Sequence, residues 1–327
     1  MFKNKEGKVR SGWKIAAVTA SIFGMILLFT IMISIIPITN LMASGDFDYA
    51  TMKFNEEGAK VMEGLTLASM FLQEIVFILI PIITWKFILK RPLTNMGLGA
   101  FKINVKELFA GLLFGIASIT IVFVMIVATG NAYVESFVPR FSSDTVIYLL
   151  LFIMVGFAEE IYGRGFVMST LRQTRNIPVV VIVSSVIFAL LHSSNQGISI
   201  LAYVNLALVG VLFAYMYIKS DNIWMPIGYH ITWNYFQGNV FGFKVSGTDT
   251  KGIWTTTYES NNILNGGDFG PEGGLIVTII LVLSFLFVKH FYRKRHFDFI
   301  ATEPTGKPKI PLQDDYSGQN PWQPPSM

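Results

Sequence analysis

The chain has 327 residues and a mass of 36.6 kDa, a length that by itself suits about two soluble domains. Composition excludes that reading: 52% of residues are apolar, only 14% are charged, and mean hydropathy is +0.53, whereas a soluble globule carries about 25% charged residues. A soluble enzyme, a disordered chain and a nucleic-acid binder are all disfavoured, and the net charge of +4 has to be read from its distribution.

A basic stretch (Lys3, Lys5, Lys8, Arg10) precedes the first long apolar run, 14–40. That run is too long for a secretory leader and lacks a small-x-small cleavage site, so it reads as an uncleaved anchor. Seven further apolar runs follow, at 65–89, 107–129, 146–171, 178–196, 198–218, 222–243 and 274–292. A bilayer crossing needs about 20 such residues. The fifth and seventh runs are the least apolar. The expectation is an all-α, polytopic, integral membrane protein with about eight transmembrane helices, in the plasma membrane if the source is bacterial.

Basic residues cluster at the N-terminus, at Lys86, Lys90, Arg91, Lys102 and Lys106, at Arg172 and Arg175, at Lys219, and at Arg293 to Arg295. With eight spans these all fall on one side. The other loops carry Asp46, Asp48, Glu56, Glu57, Glu63, Glu135, Asp249, Glu259, Asp268 and Glu272. The Lys/Arg bias therefore places both termini in the cytoplasm. Residues 1–13 then form a cytoplasmic N-terminus, 14–300 a helical membrane domain, and the Pro-rich stretch 301–327 a disordered cytoplasmic tail. The Gly- and Asn-containing loop 244–273 reads as partly ordered. Gly111 and Gly115 form a small-x-x-x-small pair suited to close helix packing. His290 and His296, among Lys289 and Arg293 to Arg295, read as a basic juxtamembrane patch for anionic lipid.

Some side chains do not belong in hydrocarbon. The fourth run holds Glu159, Glu160 and Arg164, which facing lipid would cost about 8 kcal/mol together. They must face the bundle interior or a wet cavity. Glu160 and Arg164 are four apart and share a helix face, which suits an internal ion pair. Glu159 is left without a structural reason. The fifth run adds Phe188 and His192, the seventh His230 and Asn234, each pair again four apart. Glu159 and His192 lie roughly 20 Å from the turn between the fourth and fifth runs, and His230 and Asn234 about 12 and 18 Å from Asn222. All four fall in one slab of the membrane, expected to be reached from the cytoplasmic side. Glu74, beside Gln73 in the second run, reads as a buried hydrogen-bonded acid, a partner for Arg164 or a cavity-lining group.

A carboxylate with a His can deprotonate water for attack on a carbonyl. A second His and an Asn can donate to the developing oxyanion. That is the toolkit of amide hydrolysis. Glu159, His192 and His230 also suit a divalent metal such as Zn²⁺, with an open position for water; the residues leave metal-dependent and metal-free chemistry equally open. Other protease chemistries find no support. Every Asp falls in a loop or tail, no Gly-x-Ser-Gly-like setting lies inside a span, His-Glu-x-x-His is absent, and the chain has no Cys.

Glu159-Glu160-Ile161-Tyr162-Gly163-Arg164 fits Glu-Glu-x-x-x-Arg, Phe188 to His192 fits Phe-x-x-x-His, and His230 to Asn234 fits His-x-x-x-Asn. In this order and spacing, over about residues 65–245, the chain resembles the CPBP family of intramembrane proteases, the CAAX protease and bacteriocin-processing (Abi) family. The resemblance implies a helical membrane core that cleaves peptide bonds of membrane-associated or lipidated, CAAX-like substrates, with lipid and peptide as partners and no nucleic acid. It implies that Glu159 activates water assisted by His192, that His230 and Asn234 stabilise the oxyanion, that Glu160 and Arg164 orient the site, and that Phe188 packs beside it. The family is commonly labelled metalloprotease, and a metal-free glutamate mechanism is also proposed for it. A non-catalytic immunity or binding protein of the same fold is the alternative, and a proton- or ion-coupled transporter a more distant one.

Overall fold

Apolar runs bounded by capping residues produce the helices. The computed structural model describes residues 2–4, 7–136, 139–295 and 297–300. Helix α1 (Ser11–Ser44) carries its apolar residues all round and ends where Gly45 turns left-handed at φ 84°. A short ribbon of β1 (Phe47–Asp48) and β2 (Lys53–Phe54) leads to α2 (Glu56–Ile83). There Asn55 caps the first turn by accepting from the Gly58 amide, and Glu56 and Glu57 complement the helix dipole. Helix α3 (Phe101–Ala128) runs to strand β3 (Ala132–Ser136). Ser142 and Thr145 form a reciprocal capping box that starts α4 (Ser143–Glu160). That helix continues through a π-helical stretch, Ile161–Met168, into the short α5 (Ser169–Leu171).

Asn176 caps α6 (Ile177–Leu191), with Pro178 in its first turn, and Ser199 caps α7 (Ile200–Ser220). Helix α8 (Trp224–Tyr235) also passes into a π-helical turn, Phe236–Val240. Strand β4 (Thr255–Tyr258) pairs antiparallel with β3, and α9 (Leu275–Phe291) closes the described chain. The two small ribbons are additions to the all-α expectation.

Among the described residues, five helical segments are long and apolar enough to cross a membrane: Ser11–Ser44, Glu56–Ile88, Leu93–Ala128, Ser143–Thr174 and Ile200–Ser220. Two expected spans are shorter apolar helices, Ile177–Leu191 and Leu275–Phe291. The run expected at 178–196 ends early because His192 leaves the helical conformation (φ −89°, ψ 5°) and Gly197 turns left-handed. The run at 222–243 is α8, whose residues Trp224–Asn234 are all buried. A helix enclosed by protein meets no lipid and needs no uniformly apolar surface. The bundle's outside is apolar instead, with Leu27, Ile31, Ile36, Ile103, Leu113 and Leu286 exposed.

The connections alternate between two ends. At one, Ser11 donates to the Thr170 carbonyl (2.9 Å), the Trp224 indole donates to Gly99 (3.2 Å), and Arg295 pairs with the buried Glu107, which also accepts from the Tyr292 hydroxyl (2.9 Å). This end carries the basic loops, the start of α1 and the end of α9. At the other, Lys251 pairs with Glu63 (2.6 Å) and Asp144 (3.2 Å), and Asn205 donates to the Gly274 carbonyl (2.9 Å). Exposed His290 lies beside Arg293 near the basic end. His296 and the stretch expected to form a tail, 301–327, lie outside the described residues.

Helix α3 packs most extensively on α8, and small residues make that possible. A Cβ on Gly111 would lie 2.2 Å from the Met225 carbonyl oxygen; one on Gly115 would lie 2.2 Å from Thr232 Oγ1. The close packing expected for this pair is what the structure contains. Since the obstacles at Gly111 are backbone atoms, Gly111→Ala is expected to destabilise the protein by about 1–3 kcal/mol. A lowered thermal transition of the detergent-solubilised protein would show it; an unchanged one would mean that α3 and α8 slide apart freely.

Candidate active site

Glu159 and Glu160 occupy the last turn of α4, where the α-helix gives way to the π-helical stretch. Such wider turns recur at functional sites because they re-aim side chains. Residues Ile161–Met168 of the stretch are all buried. Glu160, wholly enclosed, accepts from Arg164 Nη1 at 2.9 Å and from His230 Nδ1 at 3.2 Å. Arg164 also donates to the Gly210 carbonyl at 3.2 Å. Its guanidinium lies over the rings of Phe188 (4.6 Å) and Phe213 (5.0 Å). One carboxylate and two aromatic faces thus surround a cation held away from water. This gives Phe188 a purpose: its ring stacks on Arg164 and also stands 5.0 Å from the His192 ring.

His230 sits in α8 with its Nδ1–H directed at Glu160, which leaves Nε2 facing Glu159 Oε2 at 3.8 Å. That separation is too long for a direct hydrogen bond, and Glu159 Oε2 has no hydrogen-bond partner. His192 caps the C-terminal end of α6. Its Nδ1 lies 2.9 Å from the Phe188 carbonyl, one of the last-turn acceptors that a helix leaves unused. A carbonyl only accepts, so Nδ1 carries a proton, and the tautomer this selects has Nε2 as its acceptor. Asn234 lies one turn beyond His230 and is buried.

Glu159, His192, His230 and Asn234 line one cavity of about 380 Å³. Phe152, Val155, Leu206 and Phe213 form apolar wall. The outermost lining comes from Thr66 near the start of α2, Asn195 after α6, and Val245, Ser246, Thr250 and Glu272 between α8 and α9. All belong to the end opposite the basic loops, and no residue of the basic-end connections contributes. The expected approach from the end that carries the basic loops, drawn from counting residues to the turns, is therefore corrected. The rise per residue put the four side chains at one level, and they do share one cavity, but it could not say which end of the bundle lines it.

The sequence reading treats 244–273 as a partly ordered loop and overlooks this role. Ser246 donates from its amide (2.6 Å) and hydroxyl (2.8 Å) to Glu272, and Asn195 donates to the Ser246 carbonyl (2.8 Å). Gly247, at φ 84°, lies so close to the Gln196 carbonyl that a Cβ would come within 2.1 Å of its oxygen. The density of glycine in the loop was the available signal: glycine tolerates positive φ and close backbone approach.

Glu74, 4% exposed on α2, also lines the cavity. Gln73 donates to its Oε1 at 3.2 Å, while Oε2 has no partner. It is a cavity-lining group; Arg164 takes its ion pair from Glu160.

As metal ligands, Glu159 and His230 would offer Oε2 and Nε2. Yet among the described residues no three His, Asp or Glu side chains are arranged to hold an ion. The three-ligand set of a catalytic zinc site is not assembled here.

No curated protein and no solved structure matches the chain. A family model described as type II CAAX prenyl endopeptidase Rce1-like matches residues 141–236. That stretch contains all three motifs and every side chain of the Glu159–His192–His230–Asn234 group. Residues 141–236 thus match an Rce1-like domain of the type II CAAX prenyl endopeptidase kind, consistent with the protease family that the three motifs resemble.

Proposed function

We propose that this protein is an intramembrane endopeptidase in which Glu159 activates the attacking water. The supporting observation is a carboxylate with an unpartnered oxygen, 3.8 Å from a His nitrogen, facing a cavity inside a helical bundle. In this reading residues 14–300 form the membrane domain, with eight spans and cytoplasmic termini. The substrate is a membrane-associated or lipidated protein or peptide, and the apolar wall accepts its aliphatic groups.

Glu159 takes a proton from water as the water oxygen attacks the scissile carbonyl carbon. His192 Nε2 accepts the other hydrogen of that water and orients it. The developing oxyanion receives hydrogen bonds from the Asn234 amide and, with the His230 ring doubly protonated, from His230 Nε2–H. Glu160 holds His230 through Nδ1, and Arg164 holds Glu160. The proton on Glu159 then passes to the leaving nitrogen as the C–N bond breaks.

The test is cleavage of a fluorogenic membrane-peptide mixture by the purified protein, with and without chelator. His192→Ala is expected to lower the rate by about 10²-fold or more while the protein stays in the membrane. Loss of activity on chelation would assign a metal to the site. Undiminished cleavage by His192→Ala would remove His192 from the proposed site; no cleavage by the wild type would leave the non-catalytic binding reading in its place.

A further inference from the structure

Among the described residues, the cations nearest the cavity are already engaged. Arg164 is held by Glu160, Lys251 by Glu63 and Asp144, and Lys244 lies 3.8 Å from Asp249. Among the described residues neither Lys nor Arg lines the cavity itself, yet three carboxyl groups do: Glu74, Glu159 and Glu272. Glu272 is occupied by Ser246, and Glu159 has its place in the proposed reaction. Glu74 has neither. It is 4% exposed, bonded only through Oε1 to Gln73, with Oε2 unpartnered at the cavity wall. An acid at that depth is costly unless something pairs with it, and intramembrane acids normally line substrate paths.

We infer that Glu74 is the seat of a cationic substrate side chain, so that the preferred peptide carries Lys or Arg close to the bond that is cut. Met70, Phe152 and Val155 line the cavity with Glu74. They supply the apolar surface that the aliphatic stem of such a residue needs while its head reaches the carboxylate. A small metal ion would find a poorer seat, because one Glu74 oxygen is taken by Gln73 and, among the described residues, no three His, Asp or Glu side chains are placed to hold an ion. The inference deepens the endopeptidase reading and rests on it for the scissile bond, but binding can be measured without cleavage.

The experiment compares two dye-labelled Leu–Ala peptides that differ only in one central residue, Lys or norleucine. Binding and cleavage are followed with purified protein in detergent. The Lys peptide is expected to bind about tenfold more tightly, as one charge-assisted contact allows. Glu74→Gln is expected to bring the two affinities within about twofold of one another, and Glu74→Asp to restore part of the difference. A thermal transition for each variant identifies one that fails to fold. Equal binding of both peptides to the wild type, or an undiminished preference in folded Glu74→Gln, overturns the inference and leaves the endopeptidase reading standing. A Lys preference lost in Glu74→Gln, with no cleavage of either peptide, supports the inference and counts against the endopeptidase reading.

Discussion

Glu159→Gln is expected to reduce peptide cleavage by about 10²–10⁴-fold, the contribution of a positioned general base. The substitution keeps the volume and one carbonyl oxygen but removes the ability to take a proton from water. Stability should hardly change, since Glu159 Oε2 has no hydrogen-bond partner to lose and lies 3.8 Å from His230. An equal or higher thermal transition with a collapsed rate separates a chemical role from a structural one. A rate within a few-fold of the wild type would assign water activation to another group.

Arg164→Met is expected to have the largest effect on stability, about 3–5 kcal/mol, the cost of breaking a buried ion pair from one side. The guanidinium is 1% exposed, and its partner Glu160 is wholly enclosed. Removing the cation leaves a buried carboxylate with only His230 for company. Two aromatic rings, Phe188 and Phe213, lose the group they clasp. The double variant Glu160→Gln/Arg164→Met should recover much of the loss, because the unpaired charge is gone. Chemical unfolding in detergent measures both. A double variant as unstable as the single one would mean that shape, and not charge balance, dominates here. Activity should remain low in both: in the single variant Glu160 loses the cation that holds it, and in the double His230 loses the carboxylate that holds its Nδ1.

The contrast between Glu160 and Glu159 shows how far side-chain spacing carries. Glu160 and Arg164, four apart, pair as their spacing implies even though the helix between them widens to a π form. The π turn itself has no marker in the sequence, because a one-residue change in winding depends on what packs around it. His192 likewise stands in the same cavity as Glu159, but as a cap at a helix end and not as a residue within a span. Its position relative to Phe188 was legible; its fixed tautomer was not.

Composition, apolar run length and the three motifs were enough to establish a helical membrane bundle whose few ionisable groups turn inward, because hydrocarbon penalises each one that does not. Caps such as Asn55, Ser142 and Asn176 have a local cause that run length and motifs do not capture: a helix start leaves amides that a nearby side chain can satisfy. Tertiary structure alone decided which end of the bundle the cavity faces, that Ser246 and Glu272 bond to each other at its wall, and that Glu74 stands in it without a counter-charge. Those depend on contacts between residues far apart in the chain, whose energies have no trace in the spacing of neighbours.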